Sequence, residues 1–123
     1  MAHTVRPTQH PQCVQIEIHG ELTFDDMTCS AELGLGQGQP RWVLLDVSEM
    51  DVALPEHFIE ASRKSWFMHP DLVHMAVYTR SSLLGSAARM IAKLTRSRER
   101  MTIHDSREKA EAHLRDEMLK AGV

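Results

Sequence analysis

The chain predicts an α/β fold: a four- to five-stranded, mainly parallel sheet with helices packed against it. Three observations carry this. Segments of strand period alternate with segments of helical period along most of the sequence. The helical stretches that separate the later strands are each long enough for a right-handed crossover. Two short runs, Trp42–Val47 and Val73–Tyr78, are mostly apolar, as strands covered on both faces are. A chain of 123 residues can bury a core as one domain, residues 1–123, without disulfides or metals.

Residues 1–12 are polar and contain Pro7 and Pro11, which predicts an edge strand around His3–Arg6 or a loose arm. Cys13–Phe24 has the strand period, with Val14, Ile16 and Ile18 on one side and Gln15, Glu17 and His19 on the other. Gly20 permits a kink there. Thr23 and Asp25 are candidate N-caps for a short helix from about Asp26 to Leu33 or Leu35, closed by the turn-rich GLGQGQP. After the strand Trp42–Val47, Pro55 opens a helix to about Phe67. Its inward stripe is Phe58, Ile59, Ser62, Trp66 and Phe67, and His69-Pro70 ends it.

Beyond the strand Val73–Tyr78, Ser81 or Ser82 caps a helix through about Arg96, with Leu84, Ala87, Ala88, Ile91 and Leu94 on its apolar side. Met101–His104 is the last strand. Asp105 and Glu108 then form a capping box for a final helix to about Lys120, which turns Ala110, Leu114 and Met118 inward.

Composition excludes several classes. The N-terminus is polar and lacks the apolar core of a secretory signal, and no apolar run approaches the roughly 20 residues of a membrane span. The two cysteines, Cys13 and Cys29, form no CxxC pair and read as reduced thiols. Together these predict a cytoplasmic protein. The net charge of −3 is modest but uneven. From Arg80 to Arg100 six basic residues face one acid, Glu99, a local +5 that leaves −8 elsewhere.

The crevice outside the carboxyl end of a parallel strand is where ligands gather, which makes Asp46 and Ser48 candidate site residues. The loop beyond them, Ser48–Leu54, contains no glycine, lysine or threonine and cannot cradle a phosphate. Asp46, Glu49 and Asp51 are more simply helix-capping and turn acids than paired catalytic carboxylates. Eight histidines include no HxxxH or HxH pair, so they read as separate surface or hydrogen-bonded side chains and predict no metal site. No GxSxG elbow is present, and no cofactor or catalytic residue is expected.

Arg89, Lys93, Arg96 and Arg100 step by four, three and four, a basic stripe opposite the Leu84–Ile91–Leu94 face. It suits an acidic protein partner or an anionic membrane surface, although any helix over a sheet shows a polar side. Nearby aromatics are too few for base stacking, so no nucleic-acid partner is expected. Phe58, Trp66, Leu84 and Ile91 are candidates to line a site for a hydrophobic ligand beneath the Ser81–Arg96 helix.

The order of elements, with Gly20-Glu21-Leu22-Thr23, Val43-Leu44-Leu45-Asp46-Val47-Ser48, His69-Pro70 before Met75-Ala76-Val77-Tyr78, and Asp105-Ser106 before Ala110 and Leu114, resembles the STAS domain over residues 3–120. The SpoIIAA-like branch, which shares features with CRAL-TRIO lipid-binding domains, is the nearest in pattern. The resemblance implies a regulatory or protein-interaction module, a homodimer or protein partner, and, through the CRAL-TRIO likeness, a lipid-like ligand as the alternative. Signalling members carry Asp-Ser-Ser-Gly after the central strand, where a kinase phosphorylates the serine. The corresponding place here is Leu54-Pro55-Glu56-His57, which has no hydroxyl, and Glu56 would repel a phosphate. The resemblance therefore implies the scaffold without the phospho-switch.

Overall fold

The computed structural model describes residues 3–51, 56–94 and 99–123. Pro55 and Arg96, along with the side chain of Leu94, lie outside the described residues. Five strands form one sheet in sequence order: β1 (His3–Pro7), β2 (Cys13–Gly20), β3 (Arg41–Met50), β4 (Leu72–Tyr78) and β5 (Met101–His104). The β1–β2 pair is antiparallel and every later pair is parallel. Four α-helices, α1 (Phe24–Thr28), α2 (Phe58–Arg63), α3 (Ser82–Leu94) and α4 (Arg107–Lys120), are joined by 3-10 turns at Ser30–Leu33 and Trp66–Met68.

Because consecutive parallel strands lie side by side, right-handed crossovers put α1, α2 and α3 on one face. Only α4, which follows the last strand, reaches the other. Alternation along the strands then divides the core in two. Val43, Leu45 and Val47 of β3 join Ile16, Ile18, Met75 and Val77 on the α3 side. Trp42 and Leu44 join Ala76, Tyr78, Ala110, Leu114 and Met118 on the α4 side. Each such fully buried Val or Leu contributes about 1.5–3 kcal/mol. The alternating assignment of β2 and the inward positions of α4 agree with their sequence patterns.

Local differences from the sequence expectations have physical causes. The strand β3 runs past Val47 to Met50, because β2 continues to pair with it beyond a bulge between Glu17 and His19. Thr23 and Asp26 form a reciprocal capping box, so α1 starts at Phe24 rather than Asp26 and passes into a 3-10 turn. The predicted helix to Phe67 is interrupted after Arg63. Ser65 accepts from the Phe67 amide and starts a new turn, which drives Trp66 into the core. Ser81 caps α3 through the Leu84 amide. Ser106, rather than Asp105, caps α4, accepting from the Lys109 amide while Asp105 pairs with the Lys109 side chain.

Candidate functional site

Between α3 and the sheet lies a cavity of about 70 Å³ whose every lining residue is apolar. Ile18, Leu45 and Met75 form its floor, Phe58 one end, and Leu84 and Ile91 its roof. Three of the predicted ligand residues, Phe58, Leu84 and Ile91, thus converge. The fourth, Trp66, does not. It is fully buried and donates through Nε1 to the Asp26 carbonyl at 3.0 Å, a strut between α1 and the Trp66–Met68 turn.

Asp46 and Ser48 do not join that cavity either. Asp46 Oδ1 accepts from the Ser48 amide at 3.0 Å and from Ser48 Oγ at 2.5 Å, a local turn. Asp46 pairs laterally with Tyr78 of the α4-side core, and its charge helps to hold the Arg107 guanidinium protonated. The predicted strand-exit cluster is therefore split across the sheet, because neighbouring residues on a strand face opposite ways.

Arg89 and Lys93 are exposed on the outer side of α3. Beside them are two large apolar side chains left in solvent, Leu83 at 62% and Met90 at 63% exposure. Arg100 departs from the expected stripe. Arg100 belongs to a turn directly before β5, where its guanidinium donates to the Leu72 carbonyl at 2.6 and 3.1 Å and also to the His69 carbonyl. It ties two loops together and presents little to a partner. The four-three-four spacing assumed one continuous helix.

The opposite face carries a groove of about 740 Å³. The helix α4 packs against β3, β4 and β5 and leaves room beside β2. Cys13, Gln15 and Leu44 form the floor, Leu114 and Met118 one wall, and Arg107 and Arg115 the rim. Arg107 is held by Glu111 at 2.8 Å and by Gln15 at 2.6 Å, whereas Arg115 has no partner among the described residues. The same face gathers three histidines. His74 Nε2 lies 3.0 Å from His113 Nε2, and Thr102 Oγ1 bridges His74 and His104 at 3.1 and 2.8 Å. Burial, reinforced by the neighbouring His113, lowers the pKa of both His74 and His104.

A second polar cluster lies at the sheet edge on the α3 side. His3 of β1 is bound between two carboxylates, Nδ1 to Asp26 Oδ1 at 2.5 Å and Nε2 to Glu32 Oε2 at 2.6 Å. Burial alone would lower its pKa, but the hydrogen bonds and charges of Asp26 and Glu32 together raise it. The Cys29 thiol beside them is pushed up to about 12 by burial and by Glu32. Neither cluster was visible in sequence, because their members come from strands and helices far apart in the chain. The one local trace is the three-residue step Asp26, Cys29, Glu32, since side chains three apart align along a 3-10 turn.

No family model matches the chain, and no curated protein is similar to it at a significant level. Among solved structures it is similar to an uncharacterised protein of the DUF3478 family from Shewanella loihica PV-4, which has a SpoIIAA-like fold. The two share 21% identity and superpose with a TM-score of 0.67 over 92% of each chain. No helix among the described residues is long and apolar enough to cross a membrane. The chain has a SpoIIAA-like fold.

Proposed function

We propose that this chain is a non-catalytic binding module whose α3 side takes a lipid-like apolar group, with Arg89 and Lys93 meeting the anionic head or surface that presents it. The all-apolar cavity under α3 carries this reading. At about 70 Å³ it accepts only the end of an acyl chain, against roughly 300–1,000 Å³ for whole-ligand pockets. A longer chain requires α3 to move outward. Burying a few methylenes at about 0.8 kcal/mol each, with about 1 kcal/mol per basic residue, yields at most about 5 kcal/mol. That is weak, reversible docking in the sub-millimolar range, suited to a regulator rather than to a long-term carrier.

The non-catalytic part of the proposal is supported by the thiols. Burial pushes both Cys13 and Cys29 up, away from the thiolate that nucleophilic chemistry needs. Two free cysteines also favour a cytoplasmic setting. Regulation would proceed without phosphorylation at residues 54–57, which offer no hydroxyl.

Sedimentation with vesicles tests the reading. The protein should pellet with phosphatidylcholine vesicles containing phosphatidylserine and not with phosphatidylcholine alone. The double variant Arg89→Glu, Lys93→Glu should stay in the supernatant with an unchanged circular dichroism spectrum. Equal pelleting with neutral vesicles, or by the double variant, would count against it.

A second reading is favoured by the 740 Å³ groove, which is of ligand size and has on its rim Arg115, without a partner among the described residues. It would take an acidic extended segment of a protein partner, with apolar residues against Leu114 and Met118. Arg115→Glu should then weaken binding of an acidic peptide without altering vesicle sedimentation.

A further inference from the structure

We propose that His3, Cys29 and Glu32 form a binding site for a zinc-like divalent metal ion, with Asp26 orienting the histidine. Their ligand atoms, one nitrogen, one sulfur and one carboxylate oxygen, all lie within 4.8 Å of one another. A tetrahedral ion with bonds of about 2.0–2.3 Å holds its ligands roughly 3.5 Å apart, so only small side-chain adjustments separate the present arrangement from coordination. Glu32 Oε2, now 2.6 Å from His3 Nε2, must draw back to admit the ion. Its side chain is 53% exposed and free to do so, which also opens the entry path.

The surroundings are those of a built site. A metal-ligating histidine ordinarily donates its other ring nitrogen to a carboxylate, which fixes the ring and its tautomer. Here His3 Nδ1 is bound to Asp26 Oδ1, and Asp26 is 1% exposed. Asp26 is itself immobilised: its Oδ2 accepts from the Thr23 amide at 2.8 Å and from Thr23 Oγ1 at 2.9 Å. Trp66 Nε1 fixes the Asp26 carbonyl from the core. The 3-10 turn after α1 then places Cys29 and Glu32 on one side.

The donor set selects the metal class. A thiolate with an imidazole favours zinc over magnesium or calcium, which take oxygen ligands. Three protein ligands leave a fourth position for water. On binding, the ion replaces the Cys29 thiol proton and the proton shared by His3 Nε2 and Glu32, and both are released to solvent. No oxidant or reductant takes part.

Cobalt(II) titration of the full chain tests the site, read by thiolate-to-cobalt charge-transfer absorbance and followed by displacement with zinc. The expected result is one cobalt per chain and loss of the absorbance on adding zinc. Cys29→Ser should abolish the charge-transfer band, and Glu32→Gln, at an exposed position that leaves the fold intact, should weaken affinity at least tenfold. His113→Gln, in the histidine cluster across the sheet, should change nothing. Absence of a charge-transfer band in the folded protein would overturn the proposal. So would a band that survives Cys29→Ser, or one that His113→Gln removes.

Discussion

The two faces of the sheet are built from the same five strands yet covered in opposite ways. Three helices and two 3-10 turns close over one face, and the space they leave is small and wholly apolar. One helix serves the other face, where the open space is larger, mixed in polarity and lined in part by His10, Arg107 and Arg115. The His74, His104 and His113 cluster shares that face but lies outside the groove's lining. Crossover handedness explains the difference: every strand–helix–strand unit loads the same side, and only the segment after the last strand remains for the other. The result is two chemically different spaces: an apolar cavity under α3 and a groove of mixed polarity beside α4.

The largest effect should come from removing the strut of the crowded face. Trp66→Ala loses a fully buried indole and its hydrogen bond to the Asp26 carbonyl, and should cost about 3–5 kcal/mol in chemical denaturation. On the sparser face, Leu114→Ala should cost about 2–4 kcal/mol. A larger loss at Leu114 than at Trp66 would reverse the ranking of the two cores.

Acid titration comes next and should separate the faces by sign. His74 and His104 have lowered pKa values, so the unfolded chain binds their protons more readily. Their contribution is present above the ordinary histidine value of about 6.5 and is lost as pH falls below it. His3, with a raised pKa in the metal-free protein, acts oppositely: its contribution is full below about 6.5 and is lost as pH rises through the folded value. His74 and His104, which face His113 on α4, are two groups against one and should dominate. Thermal melting from neutral to mildly acidic pH should show destabilisation that His104→Gln reduces. Melting temperatures that rise on acidification in both proteins would mean that His3 prevails.

A smaller gain should follow from filling the cavity. Ala88→Leu adds a side chain to its roof and should raise stability by about 0.5–1 kcal/mol. The smallest effect belongs to the surface: Arg89→Glu with Lys93→Glu should change stability by less than about 0.5 kcal/mol, since both side chains are exposed. A loss above 1 kcal/mol would give those residues a folding role rather than a docking one.

The mainly parallel sheet, the burial of β3 and β4 and the inner face of α4 were legible because period and composition report local burial. The apolar lining under α3 was legible for the same reason: Leu84 and Ile91 lie on one side of a single helix, and Phe58 has its own inward stripe. What escaped depended on which elements meet. Arg100 looked like one more step of a helix, whereas it lies in a turn directly before β5. Asp46 and Phe58 are close in sequence but sit across the sheet from each other. His3 lies 23 residues from Asp26 and His74 lies 39 from His113, so these long-range pairs leave no spacing signature, and only the Asp26–Cys29–Glu32 step is local.

The most direct measurement is calorimetric titration of the wild-type chain and Ala88→Leu with decanoate, a short anionic amphiphile. If the α3 cavity is the binding site, the wild type should bind in the sub-millimolar range with a negative heat-capacity change, and Ala88→Leu should lose that binding while melting no lower. Equal binding by both proteins, or none by the wild type, would contradict it.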